Sequence, residues 1–470
     1  MSVNSRTARP SRDDRLAAAA SEWIGGPAGR HAGAEPMRWW GPLRVTLAVA
    51  CFVLALGFIA DKPCHDASWA SRDDPTVWTA MCYSDVPFLY RERGFADGEI
   101  AYVDRALEYP VFTGAVMQAS AYVAQTAQSV ADPDPDDRRL AEGVRFYEFT
   151  ALLMGIAALV VVVATARTVP RRPWDAMLVA ASPVLLLSAT INWDLLAVAM
   201  TSVAILAWTR ERSAWAGVLI GLGAATKLYP VLLLGPMLLV AMRAPDRAAA
   251  LGRLGVTAGA AVVTWLAVNI PVAMVAREGW ASFFEFNADR GAEFGSIWHA
   301  LEILGDTFGI AIFAGQDINR LAVGAGLILL GLIIVLAVVA PEPARLAQLA
   351  FLAVAAFVLI NKVWSPQYTL WLLPLAVLAH PRWRELLVWQ AAEVVYFVAV
   401  WLHLAGFYGE PIISAEIYAL SIVLRVVALI WLAGFVVRDV LHPEHDPVRA
   451  YVSDPQEARP ELATGRRGVR

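Results

Sequence analysis

The sequence predicts an all-α polytopic membrane protein with about ten full spans, a re-entrant helical hairpin and a large first extracytoplasmic loop. Three observations lead there. The 470 residues are 58% hydrophobic and only 17% charged, with a mean hydropathy of +0.54, whereas a soluble chain carries about 25% charged residues. Apolar runs recur at lengths that a bilayer core requires. The arginine-bearing loops fall on one side when the spans are threaded in order, as the positive-inside rule asks. A net charge of −4 offers nothing to a nucleic acid, and three cysteines exclude a disulfide-built secreted scaffold.

Residues 1–41 are polar, hold six arginines and contain no apolar run. They read as a disordered cytoplasmic arm without a cleavable signal. The run 43–60 is the first span. A non-membrane stretch from Asp61 to about Gly143 follows, and the mildly apolar 111–130 within it reads as a helix lying in the interface or against the bundle. If 111–130 crossed, the basic loops 167–174 and 210–213 would lie outside, against the positive-inside rule. Further spans are expected near 146–166, 176–191 and 195–209. Residues 214–242 would make one helix of about 43 Å, longer than a bilayer core needs. Basic residues flank both ends, and Lys227 and Pro230 interrupt the middle. Two arms of about 20 Å each, turning back at Thr226-Lys227-Leu228-Tyr229-Pro230, satisfy both length and charge. The remaining spans are expected near 254–275, 319–339, 346–360, 366–379, 385–404 and 415–437. Both termini fall inside, and the tail from 441 to 470 reads as disordered. The domain division is therefore arm 1–41, membrane domain 42–440 with its first loop 61–143, and tail 441–470.

Polar groups gather at the outer ends of the spans. The first loop carries Tyr83, Asp85, Arg91 and Glu108-Tyr109-Pro110; Asn192-Trp193-Asp194 joins two spans; Asp289-Arg290 and Trp298-His299 lie in the loop 276–318; and Lys362 precedes Trp364-Ser365-Pro366-Gln367-Tyr368. Lys227 approaches the same face from the hairpin tip. Lys62, Lys227 and Lys362 are the three lysines of the chain. Ionisable groups at membrane depth are costly and default to function. The bland readings are helix capping for Asn192 and Asp194 and snorkelling for Lys362. One carboxylate in an outer cavity can take a proton from an acceptor hydroxyl. Cations beside it can hold a lipid-linked phosphate and stabilise it as it leaves. Glu393 and Arg425, at similar depth in the last two spans, read as a structural ion pair. Gly217 and Gly221 read as a close-packing face. Cys64 and Cys82 share the extracytoplasmic loop, where a disulfide between them can form; Cys51 reads as core.

Asp85 in a first outer loop, Tyr109-Pro110, Asn192-Trp193-Asp194, Ala224-Ala225-Thr226-Lys227-Leu228-Tyr229-Pro230 and Lys362-Val363-Trp364-Ser365-Pro366-Gln367-Tyr368 together resemble glycosyltransferase family 87, of the GT-C class and actinobacterial type. The resemblance runs over roughly residues 43–437. It implies an integral-membrane glycosyltransferase of the plasma membrane with an extracytoplasmic active site. The implied reaction is inverting transfer of a sugar from a polyprenyl-phosphate donor to a glycolipid or glycan acceptor. Mannose is the family's commonest sugar, and arabinose or another pentose is the alternative. Asp85 is the matching position for the base, with Asp66, Asp73, Asp74, Asp97 and Asp104 as weaker candidates. Arg91, Lys227, Lys362, Gln367 and Tyr368 are the candidates for donor phosphate and lipid. Tyr83, Tyr109, Asn192, Asp194, Arg290 and Trp298 are expected to line the pocket. Glu108 stands where the family more usually has an apolar or aromatic residue, and one proline follows where two are frequent. No clustered ligands point to a metal, and no cofactor is expected. The rival readings are a lipid or polyprenyl-phosphate transporter or flippase, expected to show repeated halves, and an inactive partner in envelope assembly.

Overall fold

The protein is described here from a computed structural model covering residues 8, 14–25, 39–126, 134–313, 317–408 and 412–449. The described residues are helical apart from turns and one isolated bridge, Ala101 to Arg105. The principal helices are α1 (Arg15–Gly25), α2 (Pro42–Ala60), α3 (Asp85–Glu92), α4 (Val111–Thr126), α5 (Pro135–Thr168), α6 (Asp194–Thr209), α7 (Ser213–Ala224) and α8 (Leu234–Met242). They continue with α9 (Arg247–Val275), α10 (Arg277–Asp289), α11 (Ile297–Thr307), α12 (Ile318–Val339), α13 (Leu346–Ile360), α14 (Thr369–Ala379), α15 (Trp383–Tyr408) and α16 (Ala415–Leu441). Six are long and apolar enough to cross a bilayer: α2, α5, α9, α12, α15 and α16. Shorter apolar helices fill the bundle between them. The chain is an all-α polytopic membrane protein.

Two expectations need correction. The span expected at 176–191 is not one helix. It is broken into Pro173–Ala176, Met177–Ala180 and Pro183–Ser188, because Pro183 has no N–H to continue a ladder. Ser182 caps the third piece, accepting from the N–H groups of Val184 and Leu185 and donating to Gln390 Oε1 at 2.6 Å. Beside the six long helices, shorter apolar helices stand at Asp194–Thr209, Ser213–Ala224, Tyr229–Met242, Leu346–Ile360 and Pro366–Ala379. Nor are the terminal segments without structure where they are described. Residues 15–25 are helical, and Asp14 Oδ2 accepts from the Trp383 N–H at 3.1 Å. The buried Asp446 carboxylate accepts from the Arg345 guanidinium at 2.7 and 3.0 Å; a buried charge holds its place only when paired in this way. The rest of the expected arm and tail (1–7, 9–13, 26–38 and 450–470) lies outside the described residues.

The hairpin expected over 214–242 forms. Its two arms, α7 and Tyr229–Met242, are about 18 and 21 Å long at 1.5 Å per residue. Both outer ends meet one face: Arg253 pairs with Glu211 at 2.7 Å, and Arg243 donates to the carbonyls of Ala337, Val338 and Ala340. Gly217 and Gly221 let α7 lie against α9. A Cβ at Gly217 would stand 2.2 Å from the Thr257 carbonyl oxygen, and one at Gly221 2.3 Å from that of Ala261, so only glycine permits the approach. At the tip, the Ala225 carbonyl accepts from the Phe112 N–H at 2.8 Å and the Thr226 carbonyl from Thr113 Oγ1 at 2.7 Å. These bonds join the hairpin to α4, the helix expected at 111–130, and carry Lys227 to the first loop.

Candidate active site

The loop that holds Asp85 is anchored before the helix begins. Cys64 and Cys82 are disulfide-bonded, and Trp69 Nε1 donates to the Cys82 carbonyl at 3.0 Å. Ser84 then caps α3: its Oγ accepts from the Val86 N–H at 3.2 Å and donates to the Thr190 carbonyl at 2.7 Å. The Asp85 N–H donates to the Ile191 carbonyl at 2.9 Å. Residues a hundred positions apart thus fix one backbone, and Asp85 opens α3 with its carboxylate turned to a cavity of about 490 Å³.

Two phenols hold that carboxylate. Tyr83 OH donates to Oδ1 at 2.8 Å and Tyr109 OH approaches Oδ2 at 3.3 Å. Tyr109 is itself positioned by Tyr102, whose hydroxyl reaches the carbonyls of Tyr109 and Pro110, each at 2.9 Å. Burial pushes the Asp85 carboxyl above its usual range; the Tyr83 bond and the positive charges of Lys227 and Arg72 oppose this, and Asp194 adds to it. The Tyr83 and Tyr109 hydroxyls are pushed well above their ordinary values, first by burial and then by the Asp85 charge. They remain protonated donors.

Lys227 stands on the cavity wall, its Nζ 2.8 Å from Asp194 Oδ1. It also lies 5.0 Å from the Tyr109 ring centroid and 5.6 Å from that of Tyr368. Asp194 does not line the cavity: its side chain is 2% exposed, and Trp371 Nε1 donates to Oδ2 at 3.0 Å. Asn192 does line it, while its Oδ1 accepts from the Asp194 N–H at 3.0 Å in the turn that leads into α6. An ammonium has three donors, and Asp194 takes one, so Lys227 keeps capacity for an anion.

Arg290 completes this end of the cavity. Its guanidinium pairs with Glu293, which is not among the cavity-lining residues. Gln367 and Tyr368 face the same space from the turn 364–368; Tyr368 stacks on Trp371 at 4.0 Å, and Gln367 Oε1 has no partner among the described residues. Beneath the turn lies the Glu393–Arg425 pair, 2.7 Å apart and buried. Arg425 donates to the Trp364 carbonyl at 2.8 Å and lies between the rings of Trp364 and Tyr396.

Besides Asp194, which was expected to line the pocket and lies behind Lys227 off the lining, three expected site residues stand elsewhere. Arg91 is turned away from the cavity, donates to the Trp69 carbonyl and packs on Phe88. Lys362 closes the end of α10, donating to the carbonyls of Asn287 and Ala288 at 3.1 Å each and to that of Arg290. With its three donors so occupied it supports Arg290 and does not reach the cavity. Trp298 Nε1 donates to the Ile360 carbonyl at 2.9 Å, also outside the lining. Conversely, Arg72, Trp78, Glu92, Arg93, Glu108 and Trp401 line the cavity without having been singled out as site residues. Trp401 sits inside an apolar span, where an aromatic reads as bilayer-facing. The pairing of Arg93 with Glu108, at 2.7 and 2.6 Å, depends on a loop fold that spacing does not encode.

Residues 140–366, from the body of α5 to the turn at Pro366, match the model of glycosyltransferase family 87. No curated protein matches the chain.

Proposed function

We propose that the chain is a membrane glycosyltransferase of family 87, whose model residues 140–366 match, and that it moves a sugar, mannose in the first instance, from a polyprenyl-phosphate donor to a glycolipid or glycan acceptor on the extracytoplasmic face of the plasma membrane. Asp85 serves as general base. The observation that carries this reading is the Asp85 carboxylate, held by Tyr83 and Tyr109 on the wall of a cavity that also presents Lys227.

In the proposed step, Asp85 accepts the proton of an acceptor hydroxyl as that oxygen attacks the anomeric carbon. The new carbon–oxygen bond forms on the face opposite the phosphate. The bond to the phosphate oxygen breaks and its electron pair leaves with the polyprenyl phosphate, so the anomeric configuration inverts. Lys227 and Arg290 meet the charge that grows on the leaving phosphate. Asp194 orients Lys227, and Lys362 orients Arg290 through the end of α10. Gln367 and Tyr368 shape the same end of the pocket.

The test uses the full chain in lipid with radiolabelled polyprenyl-phosphomannose and a membrane-extract acceptor. Wild type is expected to transfer label. Asp85→Asn, which keeps the size of the side chain and removes its basicity, is expected to lose transfer while retaining the thermal stability of the wild type. Full turnover by Asp85→Asn would refute the assignment of the base.

A further inference from the structure

The residues lining the cavity carry their charge in two different ways. Lys227 and Arg290 line the space while their counter-anions, Asp194 and Glu293, are not among the lining residues. Elsewhere on the lining, acids and bases face the space side by side. Arg93 meets Glu108 at 2.6 Å and Arg72 meets Glu92 at 3.1 Å. All four line the cavity. A phosphate placed here would meet two carboxylates directly. A neutral ligand rich in hydroxyls would instead find guanidinium donors and carboxylate acceptors alternating at its edge.

An aromatic wall adjoins the Arg72–Glu92 pair, where the Trp78 indole N–H donates to the Arg72 carbonyl at 2.8 Å. Trp78 and Tyr83 are stacked, with centroids 5.0 Å apart and planes 16° from parallel, and Tyr83 meets Trp401 at 5.2 Å. Flat aromatic faces among a few polar groups suit the apolar C–H face of a sugar ring. The Trp401 indole N–H is buried and has no partner among the described residues. Tyr83 links this wall to Asp85 through its 2.8 Å hydrogen bond.

We infer that the end of the cavity bounded by Trp78, Tyr83 and Trp401 and by the Arg93–Glu108 and Arg72–Glu92 pairs is the acceptor subsite, and that it takes an uncharged sugar ring. The inference rests on the proposed transfer reaction and adds to it where each substrate lies and what charge the acceptor's terminal unit carries. The donor phosphate occupies the Lys227–Arg290 end, the acceptor ring rests on the aromatic wall, and Asp85 stands between them. Glu108, which departs from the residue usual at its position in the resembling family, becomes a determinant of acceptor charge.

Equilibrium binding to the full chain in lipid nanodiscs tests this with three probes: octyl α-D-mannopyranoside, the same glycoside carrying a 6-phosphate, and decaprenyl phosphate. Glu108→Gln is expected to weaken the neutral glycoside roughly tenfold, the scale of one lost charge-assisted hydrogen bond. It is expected to leave decaprenyl phosphate within about twofold. It should also bind the 6-phosphate form more tightly than wild type does, because Arg93 loses its carboxylate partner. That gain is one a merely structural role would not produce. Trp401→Ala should weaken the neutral glycoside alone, and Lys227→Ala decaprenyl phosphate alone. An unchanged glycoside affinity in Glu108→Gln, or an equal loss of decaprenyl phosphate, would overturn the assignment. Wild type that binds decaprenyl phosphate but neither glycoside would overturn the acceptor subsite and leave the transfer reaction standing. Wild type that binds none of the three would refute both.

Discussion

Replacing Tyr83 by Phe removes one hydroxyl from the candidate base and little else. The Tyr83 ring keeps its place in the stack with Trp78, Phe88 and Trp401, so the perturbation is close to a single lost bond, 2.8 Å long, to Asp85 Oδ1. A hydrogen bond to a charged group contributes about 1.5–3 kcal/mol. At 1.36 kcal/mol per pKa unit, its loss raises the Asp85 pKa by about one to two units. The lower figure is expected, because water in the cavity replaces part of the bond. Tyr109, Lys227, Arg72 and Asp194 also act on Asp85, and the variant leaves all four in place. Asp85 serves as a base only when ionised. A raised pKa therefore moves the acidic limb of the kcat/KM profile to higher pH by about one unit and leaves the rate well above that limb near wild type. The assay is transfer of labelled sugar across pH 4.5–8.5, with wild type beside Tyr83→Phe. An acidic limb that stays put, or moves to lower pH, would refute the argument that Tyr83 stabilises the ionised base.

Three further outcomes are expected. Gly217→Ala places a Cβ 2.2 Å from the Thr257 carbonyl oxygen, and since backbone cannot yield like a side chain, a loss of about 1–3 kcal/mol is expected on overpacking; unchanged thermal unfolding in detergent would contradict the close packing of α7 on α9. Glu393→Gln leaves the buried Arg425 guanidinium without its counter-charge and should cost about 3–5 kcal/mol, whereas Glu393→Leu with Arg425→Met should recover most of it; a double variant no better than the single would assign the loss to packing. Cys64→Ser opens a link spanning 18 positions and should lower stability by about 2–4 kcal/mol, read as faster proteolysis within 61–85; equal cleavage rates would show that the Ser84 and Asp85 backbone bonds hold the loop unaided.

Hydropathy and charge determine a great deal here, because a bilayer admits few solutions: long apolar runs must be helices that satisfy their own backbone. The all-α polytopic class, the positions of the six long helices and the hairpin broken at Lys227–Pro230 were all readable from that constraint. So was the Glu393–Arg425 pair, since an ionisable residue inside a span needs a partner at its own depth. Broken helices such as 173–188 were less readable, because apolar composition there reports burial while Pro183 and Ser182 set the chain path. Within the site, residue type identified Asp85, Lys227, Asp194, Gln367 and Tyr368 as functional candidates. Direction was a different matter. Arg91 and Lys362 carry the right charge, but their guanidinium and ammonium groups are spent on backbone carbonyls outside the cavity. Arg72, Arg93, Glu92 and Glu108 sit in an ordinary-looking polar loop and face the cavity only because its fold turns them inward. Composition and periodicity determined which segments enter the membrane, since that follows from transfer free energy summed over a run. Which side chains meet across the first loop, the hairpin tip and the 364–368 turn was decided by tertiary structure alone, since those contacts join residues up to hundreds of positions apart through directional hydrogen bonds.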